Sequence, residues 1–295
     1  MFDGITLNLL LLQLFAGLAL GAIYILVALG MSLLFGMLTV VNFAHGAFYM
    51  LGAYAAVVVL GLGGNFWVCL FFVPIAVGIV GLAVERFLIR PLYGRGIDYP
   101  LLLTFGLSYM MLELVRIGFG TTSLPFEQPD ALMGATDIGV GYFPTYRLFV
   151  IGATAVVLLL LWLFLERTPY GLIIRAGARD PQIVRILGID VGRVWLVVFG
   201  IGTGLAGFAG LLAAPLQGAS PDMGGSVLAI AFVVTVVGGM GSLVGAVLAG
   251  LLVGVVVSMT SLFAPEMAQV AIFALMAVVL LVRPQGFFGR AGLMS

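Results

Sequence analysis

The sequence predicts an all-α integral membrane protein: a polytopic helical bundle of eight or nine transmembrane helices forming one domain over residues 1–295. Three observations carry this. Hydrophobic residues make up 63% of the chain and charged ones 8%, against roughly 45–50% and about 25% in soluble domains, so lipid must act as the solvent. No charged side chain stands between Asp3 and Glu85, where His45 is the one group that titrates near neutrality. The apolar residues come in helix-length runs, near the roughly 20 residues that cross a bilayer core, and not in the short alternating strands of a membrane barrel.

Taken in order, the uncharged stretch holds runs near 7–29, 46–62 and 66–84, three crossings that would put the N-terminus outside. Asp3 stands where a signal peptide has basic residues, and the following run is too long for a signal, so no cleavable leader is expected. Residues 30–46 are too apolar for a solvated loop and too interrupted for a clean helix, and are expected to be broken or re-entrant backbone buried in the protein. Two crossings follow near 99–116 and 148–165. Four more lie near 194–214, 226–241, 243–262 and 267–282, with breaks at Pro215 to Gly225, Gly238 to Ser242 and Ala264 to Glu266.

Arginine clusters orient the bundle, since loops rich in basic residues stay inside. Arg86, Arg90 and Arg95 form one cluster. Arg167, Arg175, Arg179, Arg185 and Arg193 form the second, in an inner loop over about 166–193, and Arg283 and Arg290 form the third. The segment 117–147, with Glu127, Asp130 and Asp137 and only Arg147 at its end, is the outer loop. The number of crossings between clusters is even throughout, so the parity closes.

Glycine pairs four apart (Gly17 and Gly21, Gly200 and Gly204, Gly241 and Gly245, Gly250 and Gly254) suit close helix packing in lipid. All twelve basic residues are arginine. Without lysine the chain has neither the P-loop amine that reaches nucleotide phosphates nor a Schiff-base amine, so any ATP it depends on is bound by another chain. Cys69 is alone, and no spacing of His, Cys or acidic residues suggests a metal site, so neither a metal nor another cofactor is expected. Nor does any basic tract point to nucleic acid. The chain also lacks an acid–base set for an intramembrane enzyme.

Asn42 and His45 are the most unusual polar pair. An ionisable group in an apolar stretch is costly and marks a functional candidate; His45 either meets substrate or holds the broken backbone by hydrogen bonds. Glu113 and Arg116, three apart on a helix, are placed to pair. In the inner loop Asp180 suits an N-cap with Pro181 at the first helical position. Ile183, Val184, Ile186 and Leu187 then make an apolar stripe that ends before Gly188. Such a helix either lies on lipid or docks into a partner's groove.

Four segments in order, between about residues 15 and 289, resemble the permeases of branched-chain amino acid ABC transporters. They are Asn42-Phe43-Ala44-His45-Gly46-Ala47-Phe48 and its continuation to Tyr54; Gly171 to Ala176 with Asp180, Gly188 and Ile189; Val237-Gly238-Gly239-Met240-Gly241-Ser242 with Gly245 and Gly250; and Arg283-Pro284-Gln285-Gly286. The resemblance implies a non-enzymatic transport subunit of a bacterial inner membrane. Its partners would be membrane lipid, a second and different permease, two ATP-binding cassette subunits, and a periplasmic or lipid-anchored substrate-binding protein. It implies further that Asn42, His45, Gly46, Gly238 and Gly239 lie near the translocation path. Arg175, Ala176, Asp180, Pro181, Val184, Leu187, Gly188 and Ile189 would form the element coupled to the ATPase. Val184 and Arg185 depart from the alanine common in that loop. Urea and short amides are alternative cargoes. From other classes, an ion-coupled secondary transporter predicts intramembrane acids that the central spans lack, and a small-solute channel has no need of the arginine-rich inner loop.

Overall fold

The computed structural model describes residues 6–38, 42–96 and 98–289. Its helices are α1 (Leu7–Leu38), α2 (His45–Gly61), α3 (Phe66–Val84), α4 (Asp98–Phe119), α5 (Thr145–Arg167), α6 (Pro169–Arg179), α7 (Pro181–Ile186), α8 (Val191–Gln217), α9 (Met223–Gly238), α10 (Leu243–Phe263) and α11 (Ala268–Val282). A π-turn at Glu85–Ile89 and a 3-10 turn at Arg90–Leu92 extend α3. Seven apolar stretches among the described residues are long enough to cross a membrane, and α2 and α9 are shorter apolar helices. The protein is therefore an all-α polytopic membrane protein, with seven stretches of spanning length where eight or nine crossings were expected, and the shorter α2 and α9 at the two remaining apolar runs.

The helices α1 and α8 form the buried centre, while α4, α5 and α11 expose most of their surface. Glycines set the central contacts. On α1, a Cβ on Gly17 would lie 2.8 Å from the Cα of Val255, and one on Gly21 would lie 2.9 Å from the Gly250 carbonyl oxygen. The backbones of α1 and α10 thus touch along an antiparallel seam. α3 meets α8 in the same manner, where Gly78 faces Gly200 and Gly204. Without lateral hydrophobic drive in lipid, dispersion between closely apposed backbones is what holds such pairs. The contacts repeat with a two-fold-like pattern: α1 packs on α10 as α8 packs on α3, and α2 leans on α8 as α9 leans on α1.

The helix α2 starts deep in the protein. His45 Nε2 is 2.9 Å from the carbonyl oxygen of Val27, in the middle of α1, and the ring has no exposed surface. That oxygen only accepts, so Nε2 carries the hydrogen. The helix α9 also starts inside. Residues 218–222 turn back from the outer loop, where Leu124 and Ala219 exchange backbone hydrogen bonds at 2.8 and 2.9 Å. They deliver Gly224 against the backbone of Gly46. From that junction α2 runs toward the loop end. The other helix, α9, runs the opposite way, to where Gly241 lies beside Gly36.

One expectation is corrected. Residues 30–38, read as part of a broken or re-entrant stretch, continue α1 as helix. Their glycines permit close approach and do not end the helix: a Cβ on Gly30 would collide with the Gly202 carbonyl oxygen and lie 2.9 Å from the His45 ring. Residues 39–41 lie outside the described residues, and the chain resumes in a turn before His45. Pro215, placed in a break, sits in the last turn of α8. Two elements were not foreseen: the helix α6, and a hairpin in the outer loop pairing β1 (Ala135–Asp137) with β2 (Tyr142–Pro144). Arg290 lies outside the described residues.

Candidate functional site

Where α2 and α9 begin, a cleft of about 230 Å³ opens between them and α4. Phe43, Ala47 and Met50 form one wall, Phe105, Ser108, Tyr109 and Leu112 the second, and Asp222, Gly224, Gly225 and Leu228 the third. Phe43 is fixed from two sides: its N–H donates to Thr104 Oγ1 at 3.2 Å, and its ring meets Phe105 edge-on at 6.0 Å. Asn42 Oδ1 accepts from the Ala44 N–H at 3.1 Å, which holds the turn that starts α2. The amide Nδ2 of Asn42 is buried without a partner among the described residues.

At the loop-end rim, Arg116 bridges two carboxylates, Glu113 at 2.7 Å and Asp222 at 2.9 Å. The first pair follows from helical spacing. The second joins residues 106 apart, and no sequence pattern announces it. Because Asp222 engages Arg116, it makes no side-chain cap on α9, and Ala44 makes none on α2. Two helix starts with uncapped N–H groups therefore converge on one cleft. Helix N-termini carry partial positive charge and free donors, so the cleft can hold a carboxylate while its aromatic and aliphatic walls take an apolar side chain.

None of the five residues expected near the path lines the cleft: Asn42 and His45 stand behind it, and the walls are instead made by their neighbours Phe43 and Ala47, which were not singled out. Gly46 forms the α2–α9 junction. Gly238 and Gly239 sit at the opposite end of α9. There Gly238 faces Gly245, and Gly239 has φ +96° and lies against the chain's C-terminal segment, which clips on through Phe287 N–H to Val237 at 2.8 Å.

The inner loop folds as two short helices. α6 is tied to α5 by Arg175, which pairs with Glu166 at 3.0 Å and donates to the Leu165 carbonyl oxygen. Ala176 is exposed on α6 and accepts from the Asp180 N–H at 3.0 Å. Asp180 then caps α7, its Oδ1 accepting from Gln182 N–H at 2.9 Å and Ile183 N–H at 3.1 Å, with Pro181 at the first position. Val184 turns inward. Gly188 ends the helix at φ +81°, and the Ile189 N–H returns to the Val184 carbonyl at 3.3 Å. Left outside are Ile183, Ile186 and Leu187, which are 56%, 83% and 71% exposed. Three large apolar side chains thus stand together on the outside of α7 and its C-cap.

Beside this loop Tyr93 donates to Glu85 Oε1 at 2.8 Å, and burial, with Glu85 next to it, pushes the Tyr93 hydroxyl far above its ordinary range. Glu85 is fully buried, which the sequence did not foretell. Among the described residues no group of His, Cys, Asp and Glu is placed to hold a metal ion.

Residues 13–280 match the family model described as "Branched-chain amino acid transport system / permease component". The chain is 31% identical over 292 residues to the high-affinity branched-chain amino acid transport system permease protein BraD of Pseudomonas aeruginosa, covering 94% of this chain and 95% of that one. It is 29% identical over 294 residues to the corresponding permease LivH of Escherichia coli, with the same coverage. It is also 30% identical over 292 residues to the permease LivM of Escherichia coli, covering 90% of this chain and 67% of that one.

Proposed function

The chain belongs to the branched-chain amino acid transport permease family, and on that premise we propose that it is a membrane-spanning subunit of an ABC importer for branched-chain or related amino acids. The observation that carries this reading is the family match over residues 13–280. The cleft at the α2–α9 junction is where we place the amino acid. Its carboxylate is received by the first-turn N–H groups of α2 and α9, its apolar side chain by Phe43, Phe105 and Leu228, and its ammonium by Asp222. Asn42, His45 and Gly46 keep that site in shape, and Gly238 and Gly239 shape the other end of α9.

The partners are a second, different permease, two ATP-binding cassette subunits and a substrate-binding protein outside the bacterial inner membrane. The arginine-rich end is cytoplasmic. The exposed stripe Ile183, Ile186 and Leu187 docks on the ATPase, and Arg175, Ala176, Asp180, Pro181, Val184, Gly188 and Ile189 hold α6 and α7 in the shape that presents it. ATP binding moves this element, and the permease supplies two conformations whose balance the ATPase shifts. Hydrolysis takes place on the partner subunits.

The test is reconstitution of the chain with its partners in liposomes, followed by uptake of labelled leucine with and without internal ATP. ATP-dependent uptake that also needs the binding protein supports the proposal. Uptake unchanged without ATP or partners refutes it in favour of a channel or secondary transporter. Urea or acetamide carried in place of leucine would reassign the cargo.

A further inference from the structure

A second cleft, of about 420 Å³, opens at the arginine-rich end between α1, α5, α6 and the start of α10. We propose that it is a binding site for one ethanolamine phospholipid, with an acyl chain inside the cleft and the headgroup on the Glu166–Arg175 pair. Leu29, Leu33, Leu158, Leu161 and Val247 make its interior apolar. At its mouth stand one anion and one cation, Glu166 and Arg175, 3.0 Å apart and half-exposed. A phosphoethanolamine headgroup carries the matching charges in one molecule: its phosphate suits the guanidinium and its ammonium donates to the carboxylate.

Two further observations point to a glycerolipid. Ser32 lines the cleft, is 1% exposed, and its hydroxyl has no partner among the described residues. A buried hydroxyl left unpaired is costly. Thr154 Oγ1 donates to the Ala22 carbonyl at 3.5 Å, which sets the register of the parallel helices α1 and α5. Equal steps from Ala22 and Thr154 bring Ser32 level with Phe164, just short of Glu166. The hydroxyl therefore sits directly beneath the charged pair, at the depth where a lipid has its ester carbonyls. Trp162 lines the same cleft, half-exposed, with the Arg167 guanidinium 5.9 Å from its ring centroid, the aromatic and basic pairing found where protein meets headgroups.

Between its apolar walls the cleft offers an acyl chain room to lie along α1 and α5. An anionic glycerol headgroup offers Glu166 neutral hydroxyls but no positive charge, and a choline headgroup has no N–H to donate.

The test uses the assembled complex extracted in mild detergent, with bound phospholipid measured by mass spectrometry, and then the same complex in nanodiscs of ethanolamine, choline or glycerol phospholipid. The wild-type complex is expected to retain an ethanolamine phospholipid over the other two. Ser32→Ala, which removes one buried hydrogen bond, and Glu166→Gln, which keeps an acceptor oxygen but removes the charge facing the ammonium, are each expected to lower retention about tenfold. Val247→Trp and Leu158→Trp fill the cleft from opposite walls and are expected to abolish retention; either one that keeps the wild-type thermal stability suffices. Equal retention of glycerol phospholipid, retention unchanged in the filled variants, or displacement of the lipid by leucine would overturn the proposal. None of these readouts depends on ATP-driven uptake, so its failure and that of the importer reading are separable.

Discussion

Replacing Gly46 by alanine tests the α2–α9 junction directly. A Cβ there would lie 2.9 Å from the carbonyl carbon of Gly224 and 2.9 Å from the Cβ of Leu228, and nearer still to the Gly224 carbonyl oxygen. Carbon atoms rest at about 3.5–4.0 Å, so the two helices must part by roughly 0.6–1 Å. Backbone and Cβ atoms cannot rotate out of the way. Overpacking of this kind costs about 1–3 kcal/mol, which for a domain of this size corresponds to a fall in Tm on the order of 5 °C. The protein carries its own reporter, since Cys69 is the only cysteine and is fully buried; a thiol-reactive fluorescent dye labels it as the bundle opens on heating. Gly61→Ala is the control, at the far end of the same helix, where a Cβ would meet nothing within 4 Å. Gly46→Ala should label at lower temperature than the control, and its uptake rate should fall because the first-turn N–H groups of α9 shift. Equal labelling curves and equal uptake for the two variants would refute the account of the junction.

Asp180→Ala removes both acceptor bonds at the start of α7, a loss of about 1 kcal/mol in the local helix; uptake per ATP hydrolysed should fall while Asp180→Asn keeps it, and an unchanged ratio would remove α7 from the coupling path. Arg116→Gln leaves Glu113 and Asp222 facing each other without their cation. Exposed pairs of this kind contribute little to stability, so the Cys69 labelling temperature should move little while leucine uptake drops several-fold; a large fall in stability with normal uptake would make the triad structural. His45→Leu removes the buried hydrogen bond to the Val27 carbonyl, which keeps its helical donor, a loss of about 0.5–1.5 kcal/mol, and a labelling curve matching wild type would show that this bond holds nothing.

Much of the bundle was legible because lipid imposes a simple constraint: apolar runs and the spacing of arginines placed nine runs near seven helices of spanning length and the shorter α2 and α9. The cap at Asp180 and the Glu113–Arg116 pair were legible for the same reason, as both depend on spacing within a few residues. What escaped depends on distance in sequence. Asp222 meets Arg116 only because the chain after α8 turns back inward. Gly30 and Gly36 looked like breaks, yet they are where α8 and the α9–α10 turn press on an unbroken α1. The helix α6 was read as loop because its residues are mixed, and its tie to α5 through Glu166 and Leu165 becomes visible only once both helices are placed. Neither Asn42 nor His45, the most conspicuous pair in the sequence, lines the cleft; Phe43 and Ala47 beside them do.

The junction between Gly46 and Gly224 has a mechanical consequence. Helices of 17 and 16 residues leave it in opposite directions, each about 25 Å long at 1.5 Å per residue. A rigid tilt of about 5° about such a fulcrum moves each far tip by about 2 Å while the glycines at the centre barely shift. The two arms reach opposite faces of the bundle, so a displacement imposed on one is returned at the other with its sense reversed, as on a balance beam. A bundle built this way would transmit a push without deforming its middle, beside the cleft where we place the cargo.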